Sequence, residues 1–243
     1  PQKYYKTNVS DTIDMLCKCV DFKIKNIIYA SSSSVYGIPK VKSKIDEKHN
    51  ISPNSCYGRT KKINEDIIID FADAYNLNYI FLRLFNVSGA INEKNFKNGP
   101  TKDSTAAIAR AINMIKSNKR DLTYFISTSL VNKKDNTPIR DFVHVDDCVK
   151  VNLYFFRNTK SGIFNVGTGK CESFNKVANL ILRHHGANTN KKKYIEFPKK
   201  LKKSYQSYTK ANISKLINSG YNKKFINLNN GVRKYLKFLN KKY

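Results

Sequence analysis

This sequence lacks several features that would place it in common functional classes. Its five cysteines show no paired CxxC spacing, so neither a disulfide framework nor a zinc site is indicated, and a reducing cytosol fits best. No apolar run approaches the length of a membrane span, and the N-terminal PQKYYKTN contains no signal-peptide hydrophobic region. We therefore expect a cytoplasmic protein with no membrane partner and no bound metal.

Acidic residues are also scarce, with 18 Asp and Glu against 45 Lys and Arg, which gives a formal net charge of +27. Such an excess usually suggests a polyanionic partner. Here the excess is nearly all lysine, it runs from Lys3 to Lys242, and it accompanies heavy use of Asn, Ile and Tyr, which share AT-rich codons. A diffuse excess is more typical of a solvated surface than of a binding groove, so we expect no nucleic-acid partner.

What the sequence does contain is a regular alternation of helical and strand-like patterns. Apolar periodicity predicts the helices Val9–Asp21, Ser55–Tyr75, Ser104–Ser117, Asp146–Asn158, Ser173–His185, Lys210–Ser219 and Leu228–Asn240. Short apolar runs predict the strands Ile27–Ala30, Tyr79–Leu84, Leu122–Ile126 and Gly162–Val166. This alternation favours an α/β fold with a doubly wound parallel sheet that helices cover on both faces.

The segment CYGRTK, residues 56–61, places Tyr57 and Lys61 four residues apart in the first turn of a predicted helix. Residues at this spacing share a helical face, so the ammonium would stabilise the phenolate and lower its pKa, which is about 10 when unperturbed. A tyrosine tuned in this way can transfer protons near neutral pH. The alternative is a chance pair, because this spacing is frequent in lysine-rich helices.

Four serines, Ser31–Ser34, directly follow the first predicted strand. The carboxyl ends of parallel strands line the ligand crevice, so a hydroxyl there can contact the same substrate oxygen that Tyr57 would deprotonate. The alternative is a flexible serine loop. A strand end with serine, followed by a YxxxK helix, is much more specific than either half and predicts a proton-transfer site.

Five segments, spread over nearly the whole chain, read YASSSSVYG, SPNSCYGRTK, LRLFNVSGA, RDFVHVDD and FNVGTGK. Their order and spacing resemble the nucleotide-sugar epimerase group of the extended short-chain dehydrogenases/reductases. In the last third, FPKKLKKSYQSYTKA resembles the ADP-glyceromanno-heptose 6-epimerases. In the middle, LVNKKDNTPIRDFVHV and FNVSGA are closer to the UDP-glucose 4-epimerases.

The resemblance implies an isomerase that inverts a sugar stereocentre by transient oxidation and reduction with a bound nicotinamide cofactor. It implies NADP, with NAD as the alternative, a nucleotide-sugar substrate and a homo-oligomer. A heptose substrate would react at C6″ and a hexose at C4″. The alternative from another class is a truncated, non-catalytic relative.

The resemblance also implies roles for individual residues. The catalytic positions are Ser32, Tyr57, Lys61 and Lys102. The cofactor-binding positions are Asn8, Tyr57, Lys61 and Val87. The substrate-binding positions are Ser32, Asn86, Ser104, Arg140 and Tyr205. The alternatives are a surface lysine at Lys102, a structural pair of Arg140 with Asp141, and a packing role for Tyr205. His144, on an apolar strand face, is predicted to be a core histidine.

The sequence departs from this family at its N-terminal end. None of its ten glycines forms GxGxxG or GxxGxxG, the phosphate-binding turn. By resemblance roughly 80 residues are expected before Pro1, so we predict a Rossmann-like sheet whose N-terminal part is missing. Residues 1–103 would be the remaining NAD(P)-binding domain and 104–243 mainly a smaller mixed α/β substrate region, with about 139–160 returning to the first. The resemblance implies that Lys102 is a second base, and an insertion of several residues between Gly89 and Lys102 affects this alignment.

Overall fold

A computed structural model of the chain describes residues 1–39, 43–89, 122–126, 137–184, 192–196 and 205–240. The helices in these ranges are α1 (Gln2–Tyr5), α2 (Asp11–Asp21), α3 (Cys56–Tyr75), α4 (Val145–Arg157), α5 (Phe174–His184), α6 (Ser214–Asn218) and α7 (Leu228–Asn240). The strands are β1 (Asn26–Ser32), β2 (Asn78–Leu84), β3 (Asn86–Ser88), β4 (Leu122–Ile126), β5 (Ile139–Arg140), β6 (Phe142–His144), β7 (Gly162–Val166), β8 (Glu172–Ser173) and β9 (Lys192–Glu196). In this part of the chain, no helix is both long and apolar enough to cross a membrane.

Strands β1, β2 and β7 form a parallel sheet in that order. On one face, Leu16 of α2 and Ile68 of α3 pack with Phe81. On the other face, Phe155 of α4 packs with Leu82. Nearly continuous apolar strands can be buried on both sides only when helices cover both faces. The predicted doubly wound parallel sheet is therefore confirmed.

Three smaller strand pairs complete the described sheets. Strand β3 pairs with β6 in parallel, β4 with β9 in parallel, and β5 with β8 antiparallel. The predicted division between residues 103 and 104 lies outside the described residues and stays a prediction. So does the predicted helix Ser104–Ser117.

Helix α3 begins where a serine precedes the CYGRTK segment. The Ser55 hydroxyl accepts a hydrogen bond from the Gly58 backbone N–H at 3.0 Å and so caps the helix. A Cβ atom on Gly58 would lie 2.7 Å from the Ser34 carbonyl oxygen, so the first turn packs directly on the serine-rich backbone that follows β1. This close approach brings Tyr57 to the end of β1.

The predicted helix Lys210–Ser219 is wrong over its first four residues, because α6 spans only Ser214–Asn218. Residues 210–212 instead pair with Ile45, whose N–H donates to the Lys210 carbonyl at 2.8 Å and whose carbonyl accepts from the Asn212 N–H at 2.8 Å. Hydrogen bonds to the distant Ile45 backbone satisfy the Lys210 carbonyl and the Asn212 N–H, and they override the local preference for a helix.

A buried ion pair lies beneath the carboxyl ends of β1 and β2. Arg83 donates from Nη2 to Glu65 Oε2 at 2.7 Å and from Nε to Glu65 Oε1 at 2.9 Å. The Ser31 hydroxyl donates to Glu65 Oε1 at 2.5 Å, and Arg83 Nη1 donates to the Tyr36 hydroxyl at 3.0 Å. The Tyr36 hydroxyl in turn donates to Asn165 Oδ1 at 2.7 Å. One polar network thus joins α3, β1, β2 and β7.

Replacing Glu65 with alanine would leave the Arg83 guanidinium buried without its carboxylate. We expect Glu65→Ala to lower the free energy of unfolding by about 3–5 kcal/mol, because an uncompensated buried charge is strongly unfavourable. Urea denaturation followed by circular dichroism measures this change.

The neighbouring Asp66 supplies a matched control, because its carboxylate pairs with Lys62 on the surface and its side chain is 55% exposed. We expect Asp66→Ala to cost less than about 1 kcal/mol. Equal losses for the two variants would contradict a supporting role for the Glu65–Arg83 pair.

Candidate active site

A cleft of about 530 Å³ opens at the carboxyl ends of β1 and β2. The predicted site residues that line it are Ser32, Tyr57, Lys61, Asn86, Val87, Arg140 and Tyr205. They come from β1, α3, β3, β5 and the segment that precedes α6. This is the position at which open α/β sheets bind ligands, and the volume lies in the ordinary range for a small-molecule site.

Ser32 and Tyr57 form a hydrogen-bonded pair in this cleft. Tyr57 is 36% exposed, so its phenol is accessible from the cleft. Burial nevertheless raises the pKa of Tyr57 above its ordinary value, while the hydrogen bond with Ser32 lowers it. The Ser32 hydroxyl also accepts from the Ser34 N–H at 3.2 Å, which fixes its position. The two hydroxyl groups can therefore hydrogen-bond the same substrate oxygen.

Lys61 is held against β1 rather than against the phenol oxygen. Its Nζ donates to the Ala30 carbonyl at 2.9 Å and lies 4.8 Å from the Tyr29 ring centroid and 5.8 Å from the Tyr57 ring centroid. Burial lowers the pKa of Lys61. The expectation that Lys61 lowers the pKa of Tyr57 is wrong in this structure, because the ammonium is directed to the Ala30 carbonyl and burial dominates at Tyr57.

Arg140 is a buried cation in the lining of the cleft, with 5% of its surface exposed. Its guanidinium carbon lies 5.0 Å from the Tyr205 ring centroid, and Nη1 donates to the Ile139 carbonyl at 3.3 Å. Burial lowers the pKa of Arg140, whereas Tyr205 raises it. In the described ranges no carboxylate forms an ion pair with Arg140. This guanidinium is therefore suited to an anionic ligand.

The alternative of a structural Arg140–Asp141 pair is wrong, because the Asp141 carboxylate is engaged elsewhere. It accepts from the Thr168 N–H at 2.8 Å, the Gly169 N–H at 2.9 Å and the Ala211 N–H at 3.1 Å. Asp141 thereby joins β5 to the turn after β7 and to the segment that precedes α6. Arg140 is held in place by this anchoring of its neighbour.

Comparison with known proteins assigns the chain to a family. The sequence model of the NAD dependent epimerase/dehydratase family matches residues 1–167. The chain belongs to this family. Among curated relatives of this epimerase/dehydratase, an ADP-L-glycero-D-manno-heptose-6-epimerase from Brachyspira hyodysenteriae (strain ATCC 49526 / WA1) is 36% identical over 242 residues, which cover 97% of the chain and 70% of the relative.

This epimerase/dehydratase has the same fold as several solved structures. UDP-glucose 4-epimerase from Brucella ovis in complex with NAD has a TM-score of 0.84 at 26% identity, covering 98% of our chain and 72% of that one. UDP-glucose-4-epimerase from Stenotrophomonas maltophila has a TM-score of 0.85 at 21% identity, covering 99% and 71%. The predicted family and Rossmann-like fold are thus confirmed, and the cofactor class is a nicotinamide dinucleotide.

Asn8, a predicted cofactor-binding residue, is not among the residues that line the cleft. The Asn8 amide donates to the Thr60 hydroxyl at 3.0 Å, and the Asn8 carbonyl accepts from the Asn64 amide at 2.5 Å. These hydrogen bonds of Asn8 connect the π-helical turn Lys6–Ser10 to α3. The cofactor contact of Asn8 stays a prediction. Lys102 and Ser104 lie outside the described residues.

Some residues of the cleft were missed at the level of sequence. Asn54, Phe85 and Gln206 also line it. Gln206 directly follows Tyr205 in the YQ pair of the heptose-epimerase-like tail, a signal that was present but carried no assigned role. Asn54 lies in the loop just before α3, and Phe85 in the Phe-Asn-Val segment, so both were adjacent to motifs that were recognised.

The hydrogen bond between Ser32 and Tyr57 predicts a pH-dependent signal. Because this bond lowers the pKa of Tyr57, we expect Ser32→Ala to move the Tyr57 titration to still higher pH. The measurement is tyrosinate ultraviolet absorbance against pH, with the Tyr57→Phe titration subtracted to isolate Tyr57.

Ser161→Ala is the control for this titration, because the Ser161 hydroxyl donates to the Tyr79 carbonyl at 2.9 Å, near the amino end of β2. This variant should leave the Tyr57 midpoint unchanged. An unchanged or lower midpoint in Ser32→Ala would show that Ser32 does not stabilise the phenolate.

Proposed function

We propose that this chain carries the proton-transfer and substrate-binding residues of a nucleotide-sugar epimerase, acting on ADP-glyceromanno-heptose at C6″. The observation that carries the proposal is the joint position of Ser32, Tyr57, Lys61 and Arg140 around one cleft. The 36% identity to an ADP-heptose 6-epimerase supports the choice of sugar. The second candidate, a UDP-glucose 4-epimerase acting at C4″, is supported by the likeness to the Brucella ovis structure.

Tyr57 and Ser32 are proposed to move the proton of the reacting sugar hydroxyl. Since burial raises the pKa of Tyr57, the phenol is protonated at neutral pH and is suited to donate a proton to a sugar oxygen. In the reverse direction it accepts that proton. The Ser32 hydroxyl would hydrogen-bond the same oxygen, because it already bonds to the Tyr57 phenol.

The residues proposed to hold the nicotinamide end of the cofactor are Tyr57, Lys61 and Val87. They fit this group, because Val87 offers a 37% exposed apolar side chain in the cleft and the Lys61 ammonium is a donor beside Tyr57. The bound cofactor supplies a hydride acceptor and donor. NADP is our first choice from the resemblance to the heptose epimerases, with NAD as the alternative, and Asn8 is assigned to the cofactor by resemblance only.

Arg140 is proposed to bind the diphosphate of the nucleotide sugar. A planar guanidinium offers several N–H donors in a geometry that matches phosphate oxygens. Tyr205 stacks on this guanidinium and limits its orientation. Asn86 lines the same cleft and is proposed as a substrate contact, and Ser104 is assigned to the substrate by resemblance.

Several further properties are proposed from the resemblance. Lys102 would be the second acid or base on the opposite face of the sugar, provided that desolvation lowers its pKa. The protein would be a cytoplasmic homo-oligomer. A non-catalytic relative is the competing proposal.

Tyr57→Phe is expected to lower the epimerisation rate by about 10²–10⁴, the usual contribution of a positioned proton-transfer group. NMR of ADP-heptose and of UDP-galactose, each incubated with protein and added NADP or NAD, measures the rate. Tyr75→Phe is the control, since Tyr75 ends the same helix and is exposed.

Each outcome of this assay bears on a separate part of the proposal. Turnover of UDP-galactose alone would select the 4-epimerase, and turnover of neither substrate by the wild type would favour the non-catalytic relative. An undiminished rate in Tyr57→Phe would remove Tyr57 from the chemistry. ADP-heptose turnover that survives Lys102→Ala would contradict the two-base assignment.

Arg140→Ala is expected to weaken ADP binding by roughly 10- to 100-fold, because hydrogen bonds to charged groups contribute about 1.5–3 kcal/mol. Arg140→Lys should restore only part of this affinity, since an ammonium lacks the planar fork. Isothermal titration calorimetry measures both. Arg59→Ala, an exposed residue of α3, is the control, and equal affinities for Arg140→Ala and Arg59→Ala would exclude Arg140 from the nucleotide site.

A further inference from the structure

Residues 205–212, here called the bridging segment, run between two parts of the molecule. On one side the Ile139 N–H donates to the Ser207 carbonyl at 2.9 Å, and the Thr209 N–H donates to the Ile139 carbonyl at 3.1 Å. On the other side Ile45 pairs with the segment around Ala211. These hydrogen bonds hold the backbone of the bridging segment from Ser207 onward, and Tyr205 and Gln206 lie just before this held part.

Two adjacent side chains of the bridging segment, Tyr205 and Gln206, contact different residues around the cleft. The Tyr205 ring lies on the Arg140 guanidinium, 5.0 Å from ring centroid to guanidinium carbon. Gln206 Nε2 donates to the Ser33 carbonyl at 3.3 Å and to the Gly37 carbonyl. Both side chains line the cleft. The residue that contacts Arg140 is thus adjacent in sequence to the residue that contacts Ser33.

Gln206 holds both ends of the turn that supports the catalytic serine. We call the 3₁₀ helix Ser33–Tyr36 the serine turn. Ser33 is its first residue and Gly37 follows its last, so a single carboxamide nitrogen spans it. The left-handed φ of +67° at Gly37 directs the chain out of the turn.

The orientation of the serine turn determines where the Ser32 hydroxyl lies. Ser32 caps the turn by accepting from the Ser34 N–H at 3.2 Å, and the hydroxyl oxygens of Ser32 and Ser34 lie 3.0 Å apart. Ser32 also bonds to Tyr57. If the turn shifts, the Ser32 oxygen moves with it and the bond to the phenol changes.

We propose that Gln206 is a positioning residue that couples the anion-binding end of the cleft, at Arg140 and Tyr205, to the serine turn. This inference rests on the proposed function, because it takes Arg140 as the nucleotide contact. A nucleotide bound at Arg140 restricts Tyr205, the adjacent Gln206 is restricted with it, and its two hydrogen bonds then hold the serine turn. Binding of the nucleotide thereby orders Ser32 before the sugar reacts.

Variants of Gln206 can separate the effect of its hydrogen-bond donors from the effect of its size and shape. Gln206→Met keeps length and removes both donors, whereas Gln206→Glu keeps shape and replaces the donor nitrogen with an acceptor oxygen. Gln206→Asn retains the carboxamide on a shorter stem. The sequence contains one other glutamine, Gln2 on exposed α1, so Gln2→Met is a matched control.

Hydrogen exchange with mass spectrometry tests the proposal on the free protein and with saturating ADP. In the free protein, we expect amides of the serine turn to exchange about three- to tenfold faster in Gln206→Met and Gln206→Glu, since each hydrogen bond contributes about 1 kcal/mol. Exchange in Gln2→Met should match the wild type. ADP should slow exchange in the serine turn of the wild type and of Gln2→Met, and should fail to do so in Gln206→Met although it still binds.

Unchanged exchange in the serine turn of Gln206→Met would overturn the proposal, as would equal protection by ADP in the wild type and this variant. Faster exchange along the whole chain would show that Gln206 has a general stabilising role, and this result would also overturn the proposal. If Gln206→Met does not fold, the same measurements on Gln206→Asn decide. If ADP does not bind the wild type, the proposed nucleotide site fails and the coupling fails with it. Hydrogen exchange without ADP separately tests whether the hydrogen bonds of Gln206 stabilise the serine turn.

Discussion

The carboxylate of Glu65 is the interaction on which the geometry of the site depends. It accepts hydrogen bonds from Ser31 at the end of β1 and from Arg83 near the end of β2, so α3 is fixed against two strand ends at once. Tyr57 and Lys61 precede Glu65 by two turns and one turn on the same helical face. Burying this charge is unfavourable by itself, and the bidentate geometry with Arg83 compensates it. The positions of Tyr57 and Lys61 relative to β1 follow from this contact.

Burial acts on Tyr57, Lys61 and Arg140 in the same sense, because it disfavours the charged form of each side chain. It raises the pKa of Tyr57 and lowers the pKa values of Lys61 and Arg140. An anionic ligand would reverse part of this effect at both cations, because a nearby negative charge stabilises them. Both cations of the cleft would therefore be stabilised by an anionic ligand.

Much of the fold and the core of the site could be predicted because they depend on local spacing. The apolar period of Leu228–Asn240 predicted α7 with its observed bounds, and the Ser55 cap marked the start of α3. Ser32 and Tyr57 were expected at one cleft because the carboxyl ends of parallel strands share one edge of a sheet. The family motifs then supplied the positions of Arg140 and Tyr205, which line the same cleft.

The sequence by itself determined which residue types occur at which helical or strand spacing, and so the elements, the family and the YxxxK site. Only the tertiary structure decided the partners. It directed the Lys61 ammonium to Ala30, engaged Asp141 with the backbone of Gly169 and Ala211, and placed Gln206 on the serine turn. It also replaced the first turn of the predicted helix Lys210–Ser219 with pairing to Ile45. The physical reason is that periodicity is a property of neighbouring residues, whereas hydrogen-bond partners and desolvation depend on groups far apart in the chain.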